Sequence, residues 1–116
     1  MKFALASLIA LALPTAAFAA DGKAVYAAKC AACHGAAGQG SFGGPALKGV
    51  TGRKIAGLPG YAFSTGLKAK AGTWTAANLD TYLAAPAKFA PGTKMFAGAP
   101  DAAERAAVIA FLKTLK

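Results

Sequence analysis

Cys30-Ala31-Ala32-Cys33-His34 constrains this chain more than any other stretch. It holds two thiols one helical turn apart, with an imidazole immediately after the second. That spacing suits a haem whose two vinyl groups have become thioether bonds to Cys30 and Cys33, with His34 facing the iron as an axial ligand. The competing uses of such a pentad fit the rest of the chain badly. A structural zinc site needs four protein ligands, and the sequence has two cysteines and one histidine in all. A thioredoxin-like redox pair belongs near a βαβ pattern, which does not occur here. A short disulfide leaves His34 without a role.

The N-terminus predicts where such a cofactor is attached. Met1-Lys2 is a charged start, Phe3 to Leu13 is an uncharged apolar run, and Ala17-Phe18-Ala19 is an A-x-A cleavage site. Residues 1–19 therefore read as a cleaved secretory signal peptide, and residues 20–116 as one small domain. The apolar run is well short of the ~20 residues a membrane-spanning helix requires. The expected product is a soluble periplasmic monomer. A domain of this size buries a modest core, and an apolar cofactor supplies part of what its side chains lack. Hydrophobic residues make up 56% of the chain, but much of that is alanine.

The formal net charge is +9, which falls with the loss of Lys2 and again with two ionised haem propionates. The lysines are scattered, without arginine clusters or interleaved aromatics, and export argues against nucleic acid. Acidic patches on redox protein partners are the expected counterparts. Lys29, Lys88 and Lys94 adjoin the pentad or the distal loop and are the expected docking charges.

Periodicity predicts helices at both ends and a loop-rich middle, an all-α fold. Asp21 is a candidate N-cap for a helix to about Cys33, with Val25, Tyr26 and Ala28 facing inward. The stretch from Gly35 to Pro45 and that from Gly49 to Gly72 read as glycine-rich loops. Thr75 caps a helix through Leu79, Tyr82 and Leu83 that ends before Pro86, and Ala87 to Ala99 reads as another loop. Asp101 with Glu104 resembles a capping box for a last helix whose apolar face is Val108, Phe111, Leu112 and Leu115. Loops of this length in a small domain need something else to order them, and a haem offers each an apolar face.

With the pentad, Gly44-Pro45-Ala46-Leu47, Arg53-Lys54, Pro59-Gly60-Tyr61, Trp74, Tyr82-Leu83, Pro91-Gly92-Thr93-Lys94-Met95 and Glu104-Arg105 in order, the chain resembles class I cytochromes c. It is most similar to the cytochrome c2 and mitochondrial-type group. The resemblance implies a small class I fold wrapped around one covalent haem c. It implies a proximal His34 hydrogen-bonded to the Pro45 carbonyl and a distal Met95 supported by Thr93 and Tyr82. Arg53, Tyr61 and Trp74 match positions around the propionates, and Gly22, Tyr26 and Phe111 match the packing of first helix on last. The family's second loop tyrosine is Phe63 here, a docking lysine is Ala87, and the loop after Met95 is one residue shorter.

The distal ligand can also be approached without the family. A single histidine excludes bis-histidine ligation within one chain, leaving Met95, a lysine such as Lys94, or an open position. Met95 lies in a polar turn rather than an apolar stripe, which favours ligation over core filling. A His/Met pair closes both axial positions and leaves outer-sphere one-electron transfer. No nucleophile–base pair, carboxylate dyad or phosphate loop suggests an enzyme. A diffusible carrier is the leading expectation; a haem subunit of a particular oxidoreductase and a peroxidase or gas-binding protein are the alternatives.

Overall fold

Asp21 opens the fold, its carboxylate accepting the Lys23 N–H at 3.1 Å and capping α1 (Gly22–Lys29). The structure, a computed structural model, describes residues 20–116, so the expected leader lies outside the described residues. Five further helices follow: α2 (Ala31–His34), α3 (Thr65–Lys68), α4 (Ala76–Ala84), α5 (Pro86–Phe89) and α6 (Ala102–Leu112). Among the described residues β-structure is limited to two isolated bridges, Ser41 with Gly44 and Lys54 with Thr73, so the fold is all-α. No helix among them is long and apolar enough to cross a membrane.

The first helix differs from the single run expected through Cys33. At Cys30 the backbone turns to φ −118° and ψ −37°, separating α1 from α2. The Cys30 N–H still bonds to the Tyr26 carbonyl at 2.9 Å, so the axis bends rather than ends. No proline or glycine sits at the bend; it follows instead from how α2 is tied to the next loop, described below. Val25 and Tyr26 are buried as expected, whereas Ala28 faces solvent.

The α1–α6 crossing organises the core. Gly22 lets the two backbones meet, since a Cβ there would overlap the Ala107 carbonyl oxygen. Tyr26 packs its ring 5.3 Å from that of Phe111, and Tyr26 and Val108 are each only 1% exposed. Ile109 joins Val108 and Leu112 on the buried face, an inward residue outside the expected stripe. Phe111 and Leu115 are half-buried, Leu115 lying beyond the helix end, where its carbonyl accepts the Gly49 N–H at 2.7 Å. At the N-terminus of α6 only half of the expected capping box forms. Asp101 accepts the Glu104 N–H at 2.8 Å, but the Glu104 carboxylate turns to Lys29, 3.2 Å away.

α4 carries the full reciprocal box between Thr75 and Asn78 and buries Leu79, Tyr82 and Leu83. It is tied to α6 by Arg105, whose Nε donates to Asp80 at 2.7 Å. Pro86 does more than end α4. It occupies the first turn of α5, where its missing N–H costs nothing, so part of the expected loop is helical. The second expected loop likewise contains α3, capped by Ser64 accepting from Leu67. One-turn helices leave too few periodic positions to be seen in a sequence. Trp74 anchors the middle: its N–H donates to the Arg53 carbonyl and its carbonyl accepts from Gly52, both at 2.8 Å.

Because α1 and α6 touch at Gly22, Gly22→Ala is expected to destabilise the holoprotein by about 1–3 kcal/mol through overpacking. The denaturant midpoint should drop while the visible absorption spectrum is unchanged; an unshifted midpoint would contradict the crossing.

Candidate cofactor site

The bend at Cys30 aims the pentad into one cavity. Cys30, Cys33 and His34 line it together with Arg53, Tyr61, Trp74, Tyr82, Thr93 and Met95, bringing distant segments to one place. The space free of protein atoms there is about 1030 Å³, solvent at the mouth included. The remaining wall is mostly apolar, with Leu67, Leu79, Leu83, Val108 and Leu112 reaching in from α3, α4 and α6.

His34 is oriented by its second nitrogen. Nδ1 lies 2.8 Å from the Pro45 carbonyl oxygen, which has only lone pairs to offer, so Nδ1–H donates and Nε2 keeps its own lone pair. Burial pulls the imidazole pKa below its ordinary value, and the Arg53 charge adds to this, while the Pro45 bond opposes it. The neutral ring is thereby favoured, the form a metal ligand needs. Gly44 makes room: a Cβ on it would stand 2.8 Å from His34 Cε1. Two further contacts fix α2, one to α1 and one to this loop. Tyr26 OH donates to the Gly35 carbonyl at 2.6 Å, and Ser41 Oγ donates to the Cys33 carbonyl at 2.6 Å. Ser41 was invisible as a site residue, being one polar residue in a glycine-rich run. Cys30 is half-buried, Cys33 is exposed, and both thiols are free of disulfide bonding.

The Pro91–Gly98 loop is held from three sides. Tyr82 OH and Thr93 Oγ1 share a hydrogen bond of 2.7 Å, and Thr93 Oγ1 accepts the Met95 N–H at 3.3 Å. Lys94 Nζ donates to the Ala62 carbonyl at 2.6 Å and lies 5.9 Å from the Tyr61 ring centre. Arg105 donates to the carbonyls of Ala99 and Pro100, at 3.1 and 2.8 Å, and fixes where the loop leaves. Met95 is therefore half-buried in an anchored turn.

Arg53 is half-buried, and the one hydrogen bond of its guanidinium among the described residues is a long 3.4 Å contact to the Lys48 carbonyl. The ion pairs among the described residues are Lys29–Glu104 and Arg105–Asp80, so this cavity-lining cation has no carboxylate partner. Tyr61 and Phe63 meet edge to face at 4.9 Å. Trp74, 6% exposed, packs against Tyr82 and Phe89 at 5.3 and 5.9 Å. Two sulfurs and an imidazole on one short segment, a thioether on an anchored loop, apolar walls and an unpaired guanidinium match the needs of a covalently held, iron-centred macrocycle bearing carboxylates.

Of the expected docking lysines, Lys29 is ion-paired with Glu104, Lys94 lines the cavity mouth, and Lys88 is exposed on α5.

The chain is similar in sequence and fold to known proteins. A sequence profile described as cytochrome c matches residues 19–116. "Cytochrome c-type cyt cy" of Rhodobacter capsulatus is 46% identical over 81% of this chain, which spans about half (47%) of that relative's length. Cytochrome c of Tetrahymena pyriformis is 43% identical, covering 84% of this chain and 88% of its own. Among solved structures, cytochrome cH from Methylobacterium extorquens is 46% identical with a TM-score of 0.73. The alignment covers 83% of this chain and 97% of that one.

Burial raises the Tyr82 pKa, with Tyr61 adding to it and the Thr93 bond opposing it. The folded state thus holds this proton to higher pH than the unfolded chain does. The resulting stability is complete below the unfolded value of about 10 and is lost as pH rises through the raised folded value. Tyr82→Phe should cost about 0.5–1.5 kcal/mol at neutral pH through the lost bond to Thr93. It should also reduce the fall of the urea midpoint above pH 10; a wild-type-like fall would contradict this assignment.

Proposed function

The chain belongs to the cytochrome c family, and on that premise we propose that it is an exported one-electron carrier whose haem iron is held by His34 and Met95. Membership carries with it one covalently attached haem c and electron transfer rather than enzymatic turnover. The His/Met pairing, the periplasmic location and the acidic partners belong to this proposal. Cleavage after Ala19 and a mature domain of residues 20–116 are part of it too.

One observation carries the ligand assignment: His34 and Met95 line the same cavity, and each is held by hydrogen bonds that leave its donor atom unused. Bound haem supplies an iron that changes oxidation state by one electron. The protein's part is to keep the surroundings the same in both states. Pro45 holds the His34 ring plane through Nδ1–H, while Tyr82 and Thr93 hold the turn that presents Met95. Cys30 and Cys33 would provide the thioether sulfurs, and the apolar walls would keep water away from the bound group. Arg53, with Tyr61 and Trp74 nearby, offers its charge to the propionates.

A neutral thioether raises the reduction potential relative to anionic ligands, which suits an acceptor from quinol-oxidising complexes or dehydrogenases. With His34 and Met95 both available to hold the iron, a bound haem would offer O2 and peroxide no open site, which disfavours the peroxidase and gas-binding alternatives. The formal charge of residues 20–116, one below the +9 of the full chain because Lys2 is lost, favours acidic faces on redox proteins, approached by electrostatic steering.

Met95→Ala tests the distal assignment. The haem should stay attached, the sulfur-to-iron charge-transfer band at the red end of the oxidised spectrum should vanish, and the potential should fall by at least about 60 mV, a tenfold change in the one-electron equilibrium. An unchanged spectrum would assign Met95 to the core.

A further inference from the structure

Leu115 lies beyond the last turn of α6, where a chain frays unless something ties it down. Here three contacts do so. Its N–H donates to the Leu112 carbonyl at 3.1 Å, and its carbonyl accepts the Gly49 N–H at 2.7 Å. Its side chain fills the space over Gly38, where a Cβ would stand 3.0 Å from Leu115 Cδ1. The turn that carries it is closed by Thr114, whose hydroxyl donates to the Phe111 carbonyl at 2.6 Å. Gly38 and Gly49 bracket the segment that contains Pro45, the acceptor of the His34 hydrogen bond.

That segment is pinned in a way that passes the constraint on to Pro45. Gly38 is buried at φ +70°, and its carbonyl accepts two successive amides, Leu47 N–H at 2.9 Å and Lys48 N–H at 3.2 Å. With Gly49 bonded to Leu115, the consecutive amides from Leu47 to Gly49 are all anchored just past Pro45. A proline ring fixes φ and the peptide bond is planar, so ψ of Pro45 is the one soft torsion that aims its carbonyl. Where the following residues are held decides that torsion. Upstream, Ser41 Oγ ties the segment to the Cys33 carbonyl in α2, the helix that carries His34. Leu115 ties it instead to the end of α6.

We propose that Leu115 is a positioning residue for the proximal ligand: by packing on Gly38 and binding Gly49 it aims the Pro45 carbonyl at His34 Nδ1 and thereby tunes the reduction potential of the carrier. The proposal deepens the carrier reading above and rests on it. Hydrogen bonding at Nδ1–H makes an imidazole a stronger donor through Nε2, which favours the oxidised metal. Loosening Leu115 weakens that bond, so the potential should rise. A leucine that merely filled the core would affect stability alone.

The haem-loaded protein tests this through variants of two residues. Leu115→Ala should raise the reduction potential by about 30 mV, a three-fold change in the one-electron equilibrium. In the reduced protein it should also speed exchange of the His34 Nδ1 proton with solvent about ten-fold, as local opening becomes easier. Leu115→Met, which keeps the apolar volume, should return both to wild-type values. Ile109→Ala removes a buried side chain of α6 that lies beside Ala76 and Asp80 of α4. It should lower the denaturant midpoint while leaving potential and proton exchange unchanged. If Leu115→Ala does not fold, Leu115→Val carries the same prediction at smaller amplitude. A lowered denaturant midpoint with wild-type potential and proton exchange at position 115 overturns the proposal and leaves the carrier reading intact. Equal shifts in the Leu115 and Ile109 variants overturn it too, since they would report general loosening. A wild-type protein that holds no covalent haem, or gives no reversible one-electron wave, overturns the carrier reading itself.

Discussion

The site depends on the hydrogen bond from His34 Nδ1–H to the Pro45 carbonyl. It selects the tautomer, holds the ring plane and leaves Nε2 as the free donor. Much of the first half of the chain supports that one bond. Gly44 leaves space for the ring, Ser41 binds the Cys33 carbonyl, and Tyr26 binds the Gly35 carbonyl. Tyr26 is itself fixed by Phe111, so the orientation of the His34 imidazole reaches back to the α1–α6 crossing and to the missing side chain at Gly22. Packing in the core and geometry at the site are thus one chain of contacts.

The Met95 side is built differently. It has little regular structure, only a turn held by hydrogen bonds from other elements: Tyr82 from α4 through Thr93, Arg105 from α6 through Ala99 and Pro100, and Ala62 through Lys94. Loops are expected to open at lower free energy than core helices, and each of these bonds raises that free energy for this loop. Lys94 therefore has a structural part as well as an electrostatic one, because its ammonium already bonds a backbone carbonyl. Lys29 likewise spends much of its charge on Glu104, although an exposed pair of this kind contributes at most about 1 kcal/mol. On the proposed reading, steering towards acidic partners comes more from the absence of acidic residues between Gly22 and Leu79 than from any single lysine.

The pentad, the capped helices α4 and α6 and the inward faces of Tyr26, Leu79, Tyr82, Val108 and Leu112 were legible because caps and periodicity are local signals. Arg53 and Trp74, far apart in sequence, were legible only through resemblance, since nothing local says that they line one cavity, whereas Met95 was also reached from the single histidine and the polar turn that carries it. What escaped was set by tertiary contact. The bend at Cys30 has no local breaker, α3 and α5 are too short to show a period, and Glu104 leaves its capping role because Lys29 is within reach. Phe42 and Phe96 escaped for the opposite reason: a sequence reading assumes that phenylalanine is buried, and here both are in water.

The central claim is that His34 and Met95 are the two axial ligands of one low-spin iron. Proton NMR of the reduced protein tests it most directly, because Met95 is the only methionine in residues 20–116. A thioether bound over the macrocycle face places its methyl group in the ring current. The account predicts one three-proton singlet shifted far upfield of the other methyl signals and lost in Met95→Ala. A Met95 methyl signal at its ordinary position in the reduced wild-type protein would contradict it.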